Sequence, residues 1–594
     1  MMNIRKMVFD LVGCDFSGVV EETQFDGLYV KYENGKAVIG ANTIPAKARG
    51  YMLLAKAIAE GKTAFETTQK ANFSLIGPML DVSRGGVMKP ESVKKYLDYT
   101  AALGMNMLML YTEDTYEVEG YPFFGYQRGR YTLKELQDID DYAYSLGIEV
   151  IPCIQTFGHM EQYLRYPFNS NIADNDKVLL VGEEKTYELI RACVATVRKA
   201  FRSNRINIGC DETRGLGLGQ YLNKHGYRDR FDIFNEHIKE VTKICEEYGY
   251  RPMMWSDMYF SLSEKNKKEG YPVHVEIPQY AIDSMPDCDM VFWEYDQMDN
   301  DHYRINIAKH YTFNRPFVFA GGIRTWDGLV PYYTHSYATT KAAMEECLRA
   351  GAKEVIITVW SNDGCECNHM QALPLMSAFS ERCWMGEECT EDDIWDVSTF
   401  LTGMNKELAY AVSDFYMGYG GAIRAGKHIL WSDPLINLMY QGYDMPAGIE
   451  YMKKSLAVFE KYPDYAYIDY FKAAFQACMD KCELHNELRA KYLADDRAWL
   501  KDFADNRIPA MIEDFKKLQD IHHAVWHADF KTHGFERIMY RYFGAIGRLE
   551  YAAKVINQYL DGERACIEEL DQELVFTAPV RGRPGREFMY ITAH

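Results

Sequence analysis

Long apolar runs are what this 594-residue chain lacks. None reaches the ~20 residues that a membrane-spanning helix needs, and Asp10 interrupts the apolar start Met7–Val12 before it can serve as the core of a secretory signal. Basic charge is scarce as well: 66 Lys and Arg stand against 86 Asp and Glu, a formal net charge of −20. So acidic a surface argues against nucleic acid and against anionic membrane as partners. The fourteen cysteines follow no framework of spacings. A chain this long buries enough core to do without disulfide staples, so reduced thiols and a cytoplasmic location are expected. Cys478, Cys482 and His485 lie at i, i+4, i+7, but no fourth ligand accompanies them, and a buried helix face is the expectation. Also missing are a histidine metal triad, a nucleophile elbow around Ser or Cys, and a glycine-rich phosphate turn after the first barrel-type strand. No metal and no cofactor is expected.

What is present has a clear order. The first ~70 residues hold two β-prone runs, Leu28–Tyr32 and Lys36–Ile39, joined at Asn34-Gly35, a strong hairpin signal. A helical stretch follows from Pro45 to Glu60. Then eight short apolar runs alternate with longer amphipathic stretches: Leu75–Val82, Met105–Tyr111, Glu149–Ile154, Arg205–Cys210, Pro252–Trp255, Met290–Trp293, Pro316–Ala320 and Glu354–Trp360. Eight strand–helix units in ~300 residues is the size of a (β/α)8 barrel. After Thr390 strand signals stop. Ile449, Met452, Leu456 and Phe459 share one helix face, and 464–496 runs without Pro or Gly. The fold class is therefore α/β: a small α/β unit (1–72), a TIM barrel (73–390) and an all-helical region (391–594), with an irregular Pro- and Gly-rich tail at 579–586.

In such barrels the chemistry sits at the C-terminal ends of the strands. There the sequence places Arg84, Glu113 and Asp114, His159, the adjacent pair Asp211-Glu212, Trp255 and Asp257, Trp293 with Glu294 and Tyr295, Trp326, and Trp360 with Asn362, Asp363 and Glu366. An acidic residue just after a strand is often only a helix cap, and a single tryptophan there is usually core. Four of nine tryptophans at one rim, with carboxylates between them, suit a sugar ring instead: C–H faces stack on indole and hydroxyls bind acids, Arg and Asn. Glycosidases use two carboxyls on opposite sides of the anomeric carbon, ~5–5.5 Å apart when retaining and ~6.5–9.5 Å when inverting. Neighbours in sequence cannot straddle a ring. Asp211 and Glu212 must share one side, which fits the exception in which the sugar's own 2-acetamido group attacks.

Ile208-Gly-Cys-Asp-Glu212, Gly158-His-Met-Glu161, Gly321-Gly-Ile-Arg-Thr-Trp-Asp-Gly328 and Trp360-Ser-Asn-Asp-Gly364 resemble the motifs of glycoside hydrolase family 20, the β-N-acetylhexosaminidases. The overall likeness is to the branch of intracellular bacterial exo-enzymes. The resemblance implies that Glu212 is the general acid and then the base for water, and that Asp211 accepts the acetamido N–H and stabilises an oxazolinium intermediate. Tyr295 becomes the donor to the acetamido carbonyl, with Tyr332 and Tyr333 after strand seven as the alternatives. Trp255, Trp326 and Trp360 wall the acetyl pocket, and Trp293 joins them or packs beneath. Arg84 would hold the non-reducing-end hydroxyls and make the enzyme exo-acting. His159 would stand near the acid, held by a carboxylate of strand two, either Glu113 or Asp114. The carboxylate expected after the last-strand tryptophan is displaced: Asp363 and Glu366 both qualify, and Asn362 could substitute. The implied activity is retaining, substrate-assisted release of terminal β-linked GlcNAc or GalNAc from an oligosaccharide or glycoconjugate. The competing expectations are a retaining β-glycosidase with Glu294 or Asp257 as nucleophile and a catalytically silent N-acetyl-sugar-binding protein. For the helical region, a homodimer contact and part of the aglycone wall are both open.

Overall fold

The computed structural model describes residues 2–264, 270–362, 364–417, 421, 423–436 and 443–574. Near the start of the chain β1 (Val19–Thr23), β2 (Leu28–Glu33), β3 (Lys36–Ala41) and β4 (Ala64–Gln69) form a sheet in the order β1-β3-β2-β4. Asn34 and Gly35 close the β2–β3 hairpin at φ 48° and 78°. Two successive left-handed residues are what a two-residue I′ turn requires. Helix Ile44–Ala59 covers one face and buries Leu28, Val30 and Ile39. Its Arg49 is wholly buried and meets Glu381 of helix Leu373–Met385 through two bonds of 2.7 Å, which latches this unit to the next.

Eight parallel strands then close into a barrel: β5 (Leu75–Asp81), β6 (Met107–Thr112), β7 (Glu149–Ile154), β8 (Arg205–Asn207), β9 (Arg251–Trp255), β10 (Asp289–Trp293), β11 (Phe317–Gly322) and β12 (Glu354–Val359). Both faces of these strands are covered, which explains continuous apolar runs in place of alternation. Every second residue points inward. Met79, Met109, Ile151, Met253, Val291, Val318 and Ile356 fill the interior, and Tyr111, Trp255, Trp326 and Trp360 belong to the same inner cluster. Tyr111 and Trp255 are the last inward positions of their strands, Trp360 follows β12 directly and Trp326 comes from the loop after β11, so together they floor whatever binds at the mouth.

The fourth strand is shorter than its apolar run suggests. It ends at Asn207, because Gly209 and Cys210 take φ 73° and 72° and leave the ladder. The Asn207 side chain accepts the Gly209 N–H at 2.9 Å and fixes that departure.

Beyond Val359 the described residues form helices, including Glu391–Thr402, Met445–Phe459, Ile468–Leu493, Ile508–Asp529 and Phe535–Leu560. Thr390 caps the first of these reciprocally with Asp393. The helical region docks on the loop after β5: Lys89 donates its N–H to Asp529 O, and Lys531 to Val87 O, each at 2.8 Å. Cys478 and Cys482 are fully buried in a helix face, and His485 Nε2 lies 2.5 Å from Ser432 Oγ. The tail expected to be irregular at 579–586 lies outside the described residues. No helix among the described residues is long and apolar enough to cross a membrane.

Candidate active site

The left-handed turn after β8 brings two carboxylates to the barrel mouth. Gly209, Cys210 and Glu212 all have positive φ (73°, 72° and 44°). Such non-glycine residues cost on the order of 1–3 kcal/mol each and persist where surrounding contacts over-determine them. Gln155, just past β7, supplies those contacts. Its Oε1 accepts the Cys210 N–H at 3.3 Å, and its Nε2 donates to Asp211 Oδ1 at 2.8 Å and to Tyr111 Oη at 2.9 Å. Only glycine fits at 209, since a Cβ there would stand 2.1 Å from Gln155 Oε1. From the other side His159, itself at φ 52°, places Nε2 3.1 Å from Asp211 Oδ2 and 3.7 Å from Glu212 Oε2. Asp257 accepts the Glu212 N–H at 3.1 Å.

Burial would lower the pKa of His159, but the Asp211 charge and hydrogen bond overcome it and raise the imidazole to about 10. Burial would likewise raise Asp211; the His159 charge, hydrogen bonds from His159 and Gln155, and Arg84 hold it below the usual carboxylate range. Asp257 goes the other way. Burial, then the Asp211 charge, pushes it well above that range, so it is neutral while Asp211 is ionised.

Arg84 closes the side of the cavity nearest β5. One guanidinium nitrogen donates to Asp81 at 3.0 Å and Asn362 at 3.2 Å; the other lies 3.3 Å from both Tyr111 Oη and Glu113 Oε1. Its planar head sits 5.0 Å from the ring centres of Tyr111 and Trp360. Burial raises Glu113, Arg84 opposes this, and the result is about 7.

Aromatic rings form the remaining walls. Tyr295 stacks on Trp293 at 5.3 Å and 18°, meets Trp326 edge-on at 5.4 Å, and lies 6.4 Å from Trp360, which in turn is 6.0 Å from Trp255. A Cβ on Gly322 would come within 2.8 Å of both Tyr295 and Trp326, so glycine there permits the close approach. The cavity between these walls, open at the barrel mouth, is about 480 Å3, large enough for a monosaccharide.

Arg84, His159, Asp211, Glu212, Trp255, Trp293, Tyr295, Trp326 and Trp360 all line this one cavity, with Asn362 beside Arg84. Glu113 lies behind Arg84. Three expectations change. The ion pair of His159 is with Asp211 of the fourth strand end, where Glu113 or Asp114 of the second was expected, because the left-handed backbone at 159 and 210 turns these two side chains toward each other. Asp114 pairs with Arg128 at 2.7 Å, and neither lines the cavity. Glu366 is also absent from the lining. It is buried against the helical region, 2.6 Å from Lys427 Nζ and 2.5 Å from Arg541, and accepts from Trp431 Nε1 at 2.8 Å. Cys365, at φ 57°, reverses the chain just before it and aims Glu366 away from the mouth. Asp363 lies outside the described residues.

Other residues complete the wall: Glu294, expected at the sixth strand end, and Arg324 and Arg424, which carry little sequence signal. Glu294 Oε1 accepts the N–H groups of Tyr295 and Asp296 at 2.9 and 3.0 Å, and its Oε2 is 2.8 Å from His302 Nε2. Arg324 pairs with Asp296 and lies 4.5 Å over the Trp326 ring. Arg424, from the helical region, reaches Asp327 at 2.7 Å, so that region contributes to the cavity wall. Arg324 stands inside the glycine-rich motif after β11 and Gln155 stands directly at a strand end; both positions could have been flagged by the rule that strand ends carry chemistry.

Fold and site together define a (β/α)8 barrel whose mouth holds a paired acid centre inside an aromatic box. Residues 73–275 match the model described as glycosyl hydrolase family 20, catalytic domain, and residues 420–588 the glycoside hydrolase 20C C-terminal domain. The chain belongs to glycoside hydrolase family 20. It is 24% identical over 238 residues to human (Homo sapiens) hexosaminidase D, a match covering 38% of this chain and 46% of that protein. Bovine (Bos taurus) hexosaminidase D is 28% identical over 173 residues, 27% of this chain and 50% of its own length. The chain thus spans about half the length of these curated relatives. Among solved structures, a mutant Streptomyces plicatus β-hexosaminidase in complex with its product GlcNAc superposes with a TM-score of 0.50 at 15% identity, covering 68% of this chain and 89% of that one. At that identity the likeness speaks for the fold.

Proposed function

We propose that the protein is an exo-acting β-N-acetylhexosaminidase that removes terminal, non-reducing β-linked GlcNAc or GalNAc with retention, the substrate's acetamido group acting as nucleophile. The observation that carries this is His159 Nε2 within 3.1 Å of Asp211 and 3.7 Å of Glu212. Both acids work from one side of the ring. The other carboxylates are poorly suited to attack. Asp257 is held neutral and accepts the Glu212 N–H, and Glu294 is tied to two backbone amides and His302.

In this scheme Glu212 gives its proton to the glycosidic oxygen as the C1–O bond breaks. The acetamido carbonyl oxygen closes on C1, and ionised Asp211 accepts the amide N–H and balances the positive charge of the oxazolinium ring. Glu212 then takes a proton from water, which attacks C1 from the face the aglycone left and reopens the ring. Trp255, Trp293, Trp326 and Trp360 box the acetyl group, Tyr295 donates to its carbonyl, and Arg84 binds the far hydroxyls. A cytoplasmic setting belongs to the same proposal and rests on cysteine usage, all thiols but Cys14 and Cys566 being buried; cell fractionation checks it.

The test is kinetic. Glu212→Gln is expected to lower kcat on an aryl β-GlcNAc by about 10²–10⁴-fold with the fold intact by circular dichroism. The matched aryl β-glucoside, which has a hydroxyl in place of the acetamido group, is expected not to turn over. Equal rates on the two substrates would overturn the mechanism in favour of a carboxylate nucleophile, and full activity of Glu212→Gln would remove the assigned acid.

A further inference from the structure

A second cavity, of about 360 Å3, opens between the loops that follow β5, β6 and β7 and the first turns of helix Phe535–Leu560. It shares the barrel's C-terminal rim with the first: Gly85 in its wall directly follows Arg84. The residues of the proposed reaction have no part in it.

Its charge runs against the rest of the molecule. In a protein of net charge −20, the cavity presents three guanidinium groups, Arg128, Arg165 and Arg537, against one carboxylate, Glu536. Arg128 is matched by Asp114 at 2.7 Å. Glu536 is turned toward its own helix start, where it accepts the Gly534 N–H at 2.7 Å. Arg537 is half-buried and forms no ion pair among the described residues. Burial, then the Arg128 charge, pulls its pKa down to about 10, with Glu536 offsetting part. A guanidinium such as that of Arg537, held in a partly desolvated cleft beside the Arg128 charge and without an ion pair of its own among the described residues, is destabilising alone and becomes favourable when an anion enters.

The rim of the same cavity is aromatic. Tyr126 and Tyr166 line it, and both pack on Phe123, at 5.6 and 5.4 Å between ring centres. Tyr166 stacks on Phe168 at 5.5 Å and 12°. Phe123, Tyr126 and Phe168 are 42%, 47% and 54% exposed, so their faces are open to a ligand. Aromatic faces take the C–H surface of a sugar ring, and planar guanidinium forks take an oxyanion through two parallel bonds.

We propose that this cavity and its aromatic rim form a second sugar-binding site, for a sugar unit bearing an anionic group such as phosphate, sulfate or carboxylate. The guanidinium groups of Arg537 and Arg165 hold the anion, the open rings of Tyr126 and Phe123 carry the sugar ring, and Tyr166, stacked on Phe168 with the Arg165 guanidinium 5.6 Å from its ring centre, positions that arginine. The site is independent of the activity proposed above, and its test involves no turnover.

Isothermal titration of the full chain with glucose 6-phosphate, a probe without an acetamido group, is expected to show saturable one-site binding. Arg537→Gln, Arg165→Gln and Tyr126→Ala are each expected to weaken it about tenfold or more, while glucose and inorganic phosphate each bind more weakly than the combined ligand. Arg165 is exposed, so its variant keeps the test open if Arg537→Gln fails to fold. Absence of binding to the unaltered chain, or affinity unchanged in both arginine variants, overturns the proposal. Phosphate binding as tight as glucose 6-phosphate and indifferent to Tyr126→Ala reduces the cavity to a bare anion site and overturns the sugar. Sedimentation showing that Tyr126→Ala splits a dimer assigns the rings to self-association and overturns it too.

Discussion

Gln155 Nε2 donates to Asp211 Oδ1 at 2.8 Å while Gln155 Oε1 accepts the Cys210 N–H at 3.3 Å. One amide thus fixes both the strained backbone of the acid turn and the orientation of its buried carboxylate. Gln155→Ala would remove this partner from three buried polar groups, the Cys210 N–H, Asp211 Oδ1 and Tyr111 Oη, at about 1–3 kcal/mol for each left unsatisfied. In the proposed mechanism Asp211 acts as charge develops, so the loss is expected mainly in kcat, by about 10–100-fold, with KM little changed. Steady-state kinetics beside a thermal melt check this. A variant that melts lower yet keeps its kcat would make Gln155 structural only.

The His159–Asp211 pair sets a pH signature. The pKa of His159 is raised to about 10 in the folded chain, from about 6.5 when unfolded. Its contribution to stability is therefore fully present below about 6.5 and lost as pH rises through about 10. Asp211 is lowered, so its contribution is present above about 3.9 and lost as pH falls through its folded value. The stability advantage of the unaltered chain over His159→Asn is expected to shrink steadily between about pH 6.5 and 10, as read by urea titration. A difference independent of pH across that window would contradict the charged pair.

Glu366 ties the barrel to the helical region, so Glu366→Ala is expected to act on stability and not on substrate. Lys427 and Arg541 would keep buried charges with their shared partner removed, a cost of about 3–5 kcal/mol. The denaturation midpoint should fall sharply while KM for aryl β-GlcNAc stays within twofold or so. A raised KM at unchanged stability would return Glu366 to the substrate.

Gly322→Ala tests the aromatic box. The added methyl would stand 2.8 Å from Tyr295 Cδ1 and Trp326 Cη2. Both rings must move, at about 1–3 kcal/mol. A rise in KM for the N-acetyl substrate is expected together with a lower melting temperature. An unchanged KM would show that the rings can shift without altering the proposed acetyl pocket.

The sequence by itself determined the barrel and its acid centre. Buried parallel strands write themselves as continuous apolar runs, and all eight were legible, as were the hairpin at Asn34-Gly35 and the switch to helices after Thr390. Asp211, Glu212 and the rim tryptophans followed because strand ends can be counted along the chain. What tertiary structure alone decided was direction and partnership. Three left-handed residues, Cys210, Glu212 and His159, turn the carboxylate pair toward an imidazole from another strand, and a fourth, Cys365, turns Glu366 away from the mouth into Arg541, 175 residues further on. A polar side chain's position in sequence gives its reach but not its aim. The aim is set by backbone dihedrals that several strands enforce at once, and only the closed barrel brings those strands together.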